Sequence, residues 1–132
     1  MSKLYHGIDL VDESRIEKLR RRHGGRFLER IFTSAELQYC QKYRRQSERL
    51  AGRFAVKEAV MKMLGTGWRG GIAWTDIETI NDAAGRPEVR LSGKVAQLAG
   101  EMAIEEVSVS ITHAQGLAIA SVVAWGKSKI EI

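Results

Sequence analysis

One segment, residues 50–67 (LAGRFAVKEAVMKMLGTG), constrains the fold more than any other part of the chain. It is the clearest helix in the sequence, because small and apolar side chains recur at about 100° per residue. That apolar face consists of Ala55, Val56, Ala59, Val60 and Met63. The opposite face is expected to carry Lys57, Glu58, Met61 and Lys62. Gly65 is predicted to end the helix as a C-cap glycine, and Gly67 to extend a flexible turn.

The remaining elements are shorter and mix helices with strands. Alternating or β-branched stretches predict strands at 3–11, 74–82, 88–92, 106–114 and 116–125, the last four as two hairpins. Helices are predicted from Asp12 or Ser14 up to Gly24-Gly25, over 26–32, from Thr33 with Glu36 in a capping box, and over 94–103. The prediction is a single α+β domain over residues 1–132, with helices mostly in the first half and an antiparallel sheet mostly in the second.

The charge of the chain is concentrated in one place. Of 132 residues, 21 are Lys or Arg and 16 are Asp or Glu, for a formal net charge of +5. Residues 15–30 (RIEKLRRRHGGRFLER) hold seven basic and two acidic side chains, which accounts for the whole excess. A local basic patch indicates an acidic partner that meets one face of the protein.

Composition excludes several classes of protein. With 44% hydrophobic residues and a single proline, the chain is not intrinsically disordered. The lone Cys40 forms no internal disulfide, and one Cys with three His leaves no zinc cage. The N-terminus lacks a signal-peptide core, and the longest apolar stretch, 116–125, is about half the roughly 20 residues of a membrane span. We therefore expect a soluble cytoplasmic protein without a membrane partner.

Two acidic residues are candidates for chemistry. Asp9 lies in an apolar strand, GIDLV, where a carboxylate is costly to bury unless it is paired or bound to a cation. It could equally face water at the strand end or cap the next helix. Glu58 and Lys62 are spaced i, i+4, which is typical of an ordinary surface ion pair. If Glu58 met Asp9 across the fold, the two carboxylates could hold Mg²⁺ and Lys62 could bind the same phosphates.

The other candidates carry weaker signals. The glycine turn 65–67 follows a helix and lacks a phosphate-loop pattern, so a C-cap with a flexible turn is the better interpretation. His113, at a strand end, is more typical of a structural hydrogen-bonding residue than of a catalyst. Cys40 has no neighbouring base in the sequence to activate it as a nucleophile.

Taken together, five ordered stretches resemble the holo-acyl-carrier-protein synthases, the short type of 4′-phosphopantetheinyl transferase. The stretches are GIDLVDESRIEKL (7–19), RFLERIFTSAEL (26–37), LAGRFAVKEAVMKMLGTG (50–67), DIETINDAAGRPEVRL (76–91) and VSVSITHAQGLAIASVV (107–123). The third is similar to the family signature R-F-A-x-K-E-A-x-x-K-x-x-G-T-G. The resemblance covers nearly the whole chain.

The resemblance implies transfer of the 4′-phosphopantetheine arm of coenzyme A to a serine of apo acyl carrier protein, with release of adenosine 3′,5′-bisphosphate, in support of fatty acid biosynthesis. It implies that Asp9 and Glu58 bind Mg²⁺, that Lys62 binds coenzyme A phosphate, and that Lys57 lies beside the reacting groups. Asp9, Glu58 through a water, and neutral Lys57 all stay open as the general base. The nucleotide site would be lined by Arg53, Gly65, Thr66, Gly67, Arg86, Pro87 and His113. The family also implies a homotrimer with active sites between subunits.

The chain departs from the family pattern at three places. Arg86 replaces a commoner lysine, which keeps the charge but changes the donor geometry. Trp68 follows the glycine turn, where a smaller aliphatic residue is usual. Gly24-Gly25 follows the basic helix and can shift the register of Arg26 and Phe27 relative to the family.

The basic patch has three interpretations. The resemblance makes it a docking face for the acidic carrier protein, through positions matching Arg15, Leu19, Arg22, Arg26 and Phe27. A small nucleic-acid-binding domain is the alternative, although the run has only Phe27 for base stacking and no binding motif. The third interpretation is a solvated helix face, which accounts equally well for Arg20, Arg21 and Arg30. We expect a carrier protein and no nucleic acid.

Overall fold

The computed structural model describes residues 2–68 and 70–127, and over these it has an α+β fold, as predicted. The strands are β1 (Ser2–Asp12), β2 (Ile77–Asn81), β3 (Pro87–Leu91), β4 (Ile104–Ala114) and β5 (Leu117–Lys127). The helices are α1 (Glu13–Ile31), α2 (Ser34–Gln41), α3 (Gln46–Leu64) and α4 (Gly93–Glu101). A short 3₁₀ turn, Trp74–Asp76, precedes β2 where the sequence predicted the start of a strand.

The strands form two antiparallel sheets, where the sequence predicted one. In the larger sheet β5 lies between β1 and β4, so the N-terminal strand pairs with the C-terminal one. The β2–β3 and β4–β5 hairpins are confirmed, and β2–β3 forms a sheet of its own. The inner face of β5 carries Ala118, Ala120, Val122 and Ala124, all buried. These small side chains let α3 lie close to the sheet.

Helix α3 is the centre of the core, and it approaches β1 backbone to backbone. A Cβ built on Gly7 would overlap the carbonyl oxygen of Ala59 and lie 2.9 Å from the backbone nitrogen of Met63. Only glycine therefore fits at this position of β1. The close approach fixes β1 against the C-terminal half of α3.

The predicted exposed face of α3 was partly wrong. Lys57 and Met61 are buried, whereas Glu58 is half-buried and Lys62 is exposed. The reason is that α3 contacts the large sheet on one side and α1, α2 and β2 on the other. A helix that is covered on two sides buries more than one amphipathic stripe. The helix also begins at Gln46, before the segment 50–67 in which it was predicted, and Ser47 is buried.

The helix ends follow the local signals of the sequence. Asp12 caps α1 by accepting a hydrogen bond from the Ser14 backbone N–H at 2.9 Å. The predicted interruption of α1 is confirmed, because Gly24 has φ 64° and ψ −148° in the middle of the helix. The capping box between Thr33 and Glu36 is present at the start of α2. Within the described ranges, no helix is long and apolar enough to cross a membrane.

Candidate active site

Asp9 and Lys62 meet where β1 crosses the last turns of α3. Asp9 is an inner-face residue of β1, on the same side as Gly7 and Val11, and its side chain is 15% exposed. Its Oδ1 accepts a hydrogen bond from Lys62 Nζ at 2.8 Å, and the Ile8 carbonyl accepts another at 3.2 Å. The hydrogen bond that Lys62 donates to Asp9, more than any other contact, raises the pKa of Lys62. Asp9 is thus paired across the fold, and the helix cap falls to Asp12.

Glu58 lies one turn before Lys62, on the same face of α3. Its negative charge adds to the rise in the pKa of Lys62, although the ion pair that Lys62 makes within 4 Å is with Asp9. One oxygen of Glu58 accepts a hydrogen bond from the indole Nε1–H of Trp68 at 3.4 Å. The ammonium of Lys62 is thus paired with Asp9 and also feels the charge of Glu58.

A groove of about 190 Å³ opens beside these charges. Its lining consists of Glu58, Met61, Lys62, Gly65, Gly67 and Trp68. Gly65 is in the left-handed conformation, with φ 74°, and its N–H donates to the Met61 carbonyl at 2.9 Å, so the predicted C-cap is confirmed. The glycine turn is consequently part of the wall of the groove.

The donors around the groove fit a small hard cation. Mg²⁺ binds through one or two protein carboxylates and completes its shell with substrate phosphate oxygens and water. Asp9 and Glu58 supply such a pair. Among residues 2–68 and 70–127, no group of three or more His, Cys, Asp or Glu side chains is placed to hold a metal ion. The donor set suits a cation that arrives with phosphate oxygens.

A second group of predicted site residues lies around Arg53. The guanidinium of Arg53 is buried, packs 3.8 Å over the ring of Tyr39, and donates to the side-chain oxygen of Asn81. Asn81 also donates to the Gly85 carbonyl at 3.0 Å. This contact ties Arg53 to the β2–β3 turn that carries Arg86 and Pro87. The sequence carried no signal for the part played by Asn81.

His113 belongs to this second group. It lies on β4 against α3, where a Cβ built on Gly52 would be 2.7 Å from its Nε2. Burial lowers the pKa of His113 below its ordinary value. In the described part of the chain, Nε2 of His113 and Nε of Arg53 are buried and have no hydrogen-bond partner.

The two groups lie on opposite faces of α3. Arg53 and Lys62 are nine residues apart on one helix, which separates them by about 180° around the axis and about 13 Å along it. The structure therefore pairs Asp9 with Lys62, which lines one groove with Glu58 and the glycine turn, and it links Arg53 through Asn81 to the β2–β3 turn, with His113 packed against the neighbouring Gly52. One copy of the chain does not join the two groups.

Lys57 points away from both carboxylates, contrary to the expectation that it lies beside the reacting groups. Its ammonium is buried and donates to Glu36 Oε1 at 2.7 Å, to the Trp74 carbonyl at 3.2 Å, and to the Ile77 carbonyl. These three acceptors match the three donors of an ammonium group. Burial lowers the pKa of Lys57, and the Glu36 carboxylate opposes that shift. Lys57 is a structural residue here.

The predicted docking residues lie along α1 on both sides of its break. Arg15, Arg22 and Arg26 are exposed, and Leu19 and Phe27 are partly buried. Beyond the break, a groove of about 360 Å³ is lined by His23, Arg26, Phe27 and Arg30. Arg20 and Arg21 instead form ion pairs with Glu17, at 3.1 and 2.9 Å. The surface charge that is free for a partner is thus smaller than the sequence count.

Comparison with known proteins identifies the family. A family model described as the 4′-phosphopantetheinyl transferase superfamily matches residues 6–120. The holo-[acyl-carrier-protein] synthase of Chloroflexus aggregans is 47% identical over an alignment of 133 positions, gaps included. The alignment covers 92% of this chain and 95% of that protein. The chain belongs to the holo-acyl-carrier-protein synthases. It is thus an enzyme of the 4′-phosphopantetheinyl transferase class, and the resemblance found in its motifs is confirmed.

Solved synthase structures share the fold. The synthase of Neisseria meningitidis superposes with a TM-score of 0.82 at 35% identity, covering 91% of this chain and 96% of that one. The Helicobacter pylori synthase, solved in complex with coenzyme A, gives a TM-score of 0.79 at 35% identity, covering 90% and 98%. The arrangement of β1 against α3 is therefore part of a synthase fold.

Proposed function

We propose that this chain transfers the 4′-phosphopantetheine arm of coenzyme A to a serine hydroxyl of apo acyl carrier protein, with Mg²⁺, and so supplies carrier protein for fatty acid synthesis. The observation that carries the proposal is the ion pair between Asp9 and Lys62, together with the groove that Lys62 lines with Glu58, in a holo-acyl-carrier-protein synthase. The coenzyme A complex of the Helicobacter pylori relative supports the choice of donor.

The residues at the groove have separable roles in this proposal. Asp9 and Glu58 would hold Mg²⁺, which neutralises diphosphate oxygens when it is bound. Lys62 uses two described acceptors, so its third N–H can donate to a phosphate oxygen as negative charge develops on the leaving group. The candidates to accept the serine proton are Asp9 and Glu58 through a water, because the Lys57 ammonium is fully engaged elsewhere.

The second group of residues is proposed to bind the nucleotide from a neighbouring subunit. Arg53, His113, Arg86 and Pro87 are on the far side of α3 from Lys62, so one coenzyme A cannot use both groups of one copy. The outer face of the large sheet exposes the large apolar side chains Leu4, Ile8, Leu10, Leu117, Val123 and Trp125, around the hydrogen-bonded pair of His6 and Ser121. A group of exposed large apolar side chains is typical of a protein interface. We therefore propose a homotrimer with active sites between subunits.

The exposed arginines of α1 are proposed to dock the acidic carrier protein. Arg15 lies 5.7 Å over the ring of Phe54, and Arg26 with Phe27 lines the groove beyond the helix break. Charges of this kind steer an oppositely charged partner and act mainly on the association rate. The cytoplasmic location and the single domain over 1–132 stay predictions.

A transfer assay tests the proposal. The protein is mixed with apo acyl carrier protein, coenzyme A and Mg²⁺, and the carrier is weighed by mass spectrometry. We expect the carrier to gain one phosphopantetheine arm, and we expect EDTA, Asp9→Ala or Glu58→Ala to abolish the gain. Glu105→Ala, at an exposed acid on β4, is the matched control and should leave the gain intact. No gain with several different carriers would contradict the proposal.

A further inference from the structure

A column of aromatic rings lies between the candidate active site and α1. The rings of Trp68 and Trp74 are stacked with centroids 3.6 Å apart, and Trp74 stacks on Phe54 at 5.0 Å. Ring pairs of this kind contribute beyond the area they bury. The end of the column is Trp68, whose indole Nε1–H reaches Glu58 Oε2 at 3.4 Å.

Trp74, the ring on which Trp68 stacks, is held in place by two contacts. The carbonyl of Trp74 accepts a hydrogen bond from the buried Lys57 at 3.2 Å, and Phe54 belongs to the buried core. Trp74 is therefore fixed by a backbone contact on one side and by a ring on the other. The ring of Trp68, stacked on Trp74, therefore has few orientations available.

Two glycines precede Trp68 in the turn. Gly65 and Gly67 both have left-handed φ values, and a Cβ built on either would meet nothing within 4 Å. Glycine is therefore favoured at both positions by backbone conformation and not by close packing, and the stack of Trp68 on Trp74 supplies an anchor for the turn. The turn forms one wall of the groove beside Glu58 and Lys62.

We propose that Trp68 is a positioning residue: its indole N–H holds one oxygen of Glu58, so that the other oxygen is presented to a divalent cation beside Asp9. The inference rests on the proposed role of Glu58 as a metal ligand. A carboxylate held at one oxygen loses less freedom when the other binds. A Phe at this position would keep the stack but lose the donor, and a Leu would lose both.

The first test observes the hydrogen bond without metal, coenzyme A or turnover. The indole ¹H–¹⁵N resonances of the protein are recorded, and Trp68→Phe assigns that of Trp68 by its disappearance. Glu58→Gln should shift the Trp68 indole proton upfield, because a charged acceptor is replaced by a neutral one. Glu105→Gln is the matched control and should leave it unmoved. A Trp68 signal that is insensitive to Glu58→Gln would overturn the proposal, and this outcome does not depend on whether the protein transfers anything.

The second test measures the cation. Mn²⁺ alone is titrated into wild type, Trp68→Phe and Trp68→Leu, with free Mn²⁺ followed by electron paramagnetic resonance. We expect Trp68→Phe to bind Mn²⁺ about three- to tenfold more weakly, the scale of one lost hydrogen bond, and Trp68→Leu at least as weakly. In turnover, Trp68→Phe should raise the Mg²⁺ concentration needed for half activity and leave kcat at saturating Mg²⁺ within about twofold. Wild-type Mn²⁺ affinity in Trp68→Phe would overturn the role of the N–H.

Discussion

Two lysines of α3, five residues apart, form nearly identical ion pairs in opposite surroundings. Lys57 lies 2.7 Å from Glu36, with both side chains fully buried, and Lys62 lies 2.8 Å from Asp9, with its own side chain 58% exposed. The buried ammonium has all its donors engaged within the chain, whereas the exposed one keeps a donor for a ligand. Equal distances therefore do not imply equal roles, because burial decides whether an ion pair supports the fold or is available to a substrate.

The largest effect is expected from breaking the buried pair. Lys57→Met leaves the Glu36 carboxylate buried without a counter-charge, so we expect the free energy of unfolding to fall by about 3–5 kcal/mol. Urea denaturation measures the change. The double variant Glu36→Gln, Lys57→Met should recover part of the loss. A single variant within about 1 kcal/mol of wild type would show that the pair does not support the fold.

Breaking the pair of Lys62 with Asp9 should instead affect activity more than stability. Lys62→Met removes a donor proposed to bind the diphosphate, so kcat/KM for coenzyme A should fall by on the order of 100-fold. The urea midpoint should move less than for Lys57→Met, because the Lys62 side chain is 58% exposed whereas Lys57 is fully buried. Initial rates at several coenzyme A concentrations check the first expectation. A large loss of stability with unchanged kinetics would reverse the contrast between the two lysines.

Mixing two inactive variants sharpens the comparison between the faces of α3. Asp9→Ala damages the face with Lys62, and His113→Ala damages the face with Arg53. If one site draws on both faces from different subunits, then unfolding and refolding an equal mixture should restore about a quarter of wild-type activity. Each variant refolded alone is the control. Failure of the mixture to exceed its components would argue against sites between subunits.

The smallest effect is expected on the docking surface. Arg15→Glu reverses an exposed charge, so the KM for carrier protein should rise by up to about fivefold while that for coenzyme A stays unchanged. The difference should shrink as salt is added. Arg21→Glu is a useful comparison, since Arg21 is already paired with Glu17. Equal changes in both KM values for Arg15→Glu would remove the docking assignment.

Local signals in the sequence predicted most elements and singled out Asp9 and Glu58 as candidate carboxylates, and tertiary contacts explain what those signals missed. Some features are determined by residues that are close along the chain and were predicted correctly. These are the end of α3 at Gly65, the break of α1 at Gly24 and the two hairpins. The burial of Lys57 depends on Glu36, which is 21 residues away and was recognised only as a capping residue. A lysine on the polar face of a helical pattern is predicted to face solvent. No pattern within α3 could therefore have shown that Lys57 pairs with Glu36.

The separation into two groups of site residues follows from helical geometry, because Arg53 and Lys62 are nine residues apart and lie on opposite faces of α3. The sequence does not show what joins the two groups. The exposed apolar side chains of the large sheet support the proposal that a second copy completes the site. Trp68 was visible as a departure from the family pattern, but its contact with Glu58 required the position of Trp74.

The contact between Gly7 and the backbone of Ala59 has a consequence for how this site is kept in alignment. Asp9 is two residues from Gly7 on the same face of β1, and Lys62 is three residues from Ala59 on α3. The distance between the two charges is thus set by a direct contact between the backbones of β1 and α3, with no side chain between them. Even one added methyl group at Gly7 would change it.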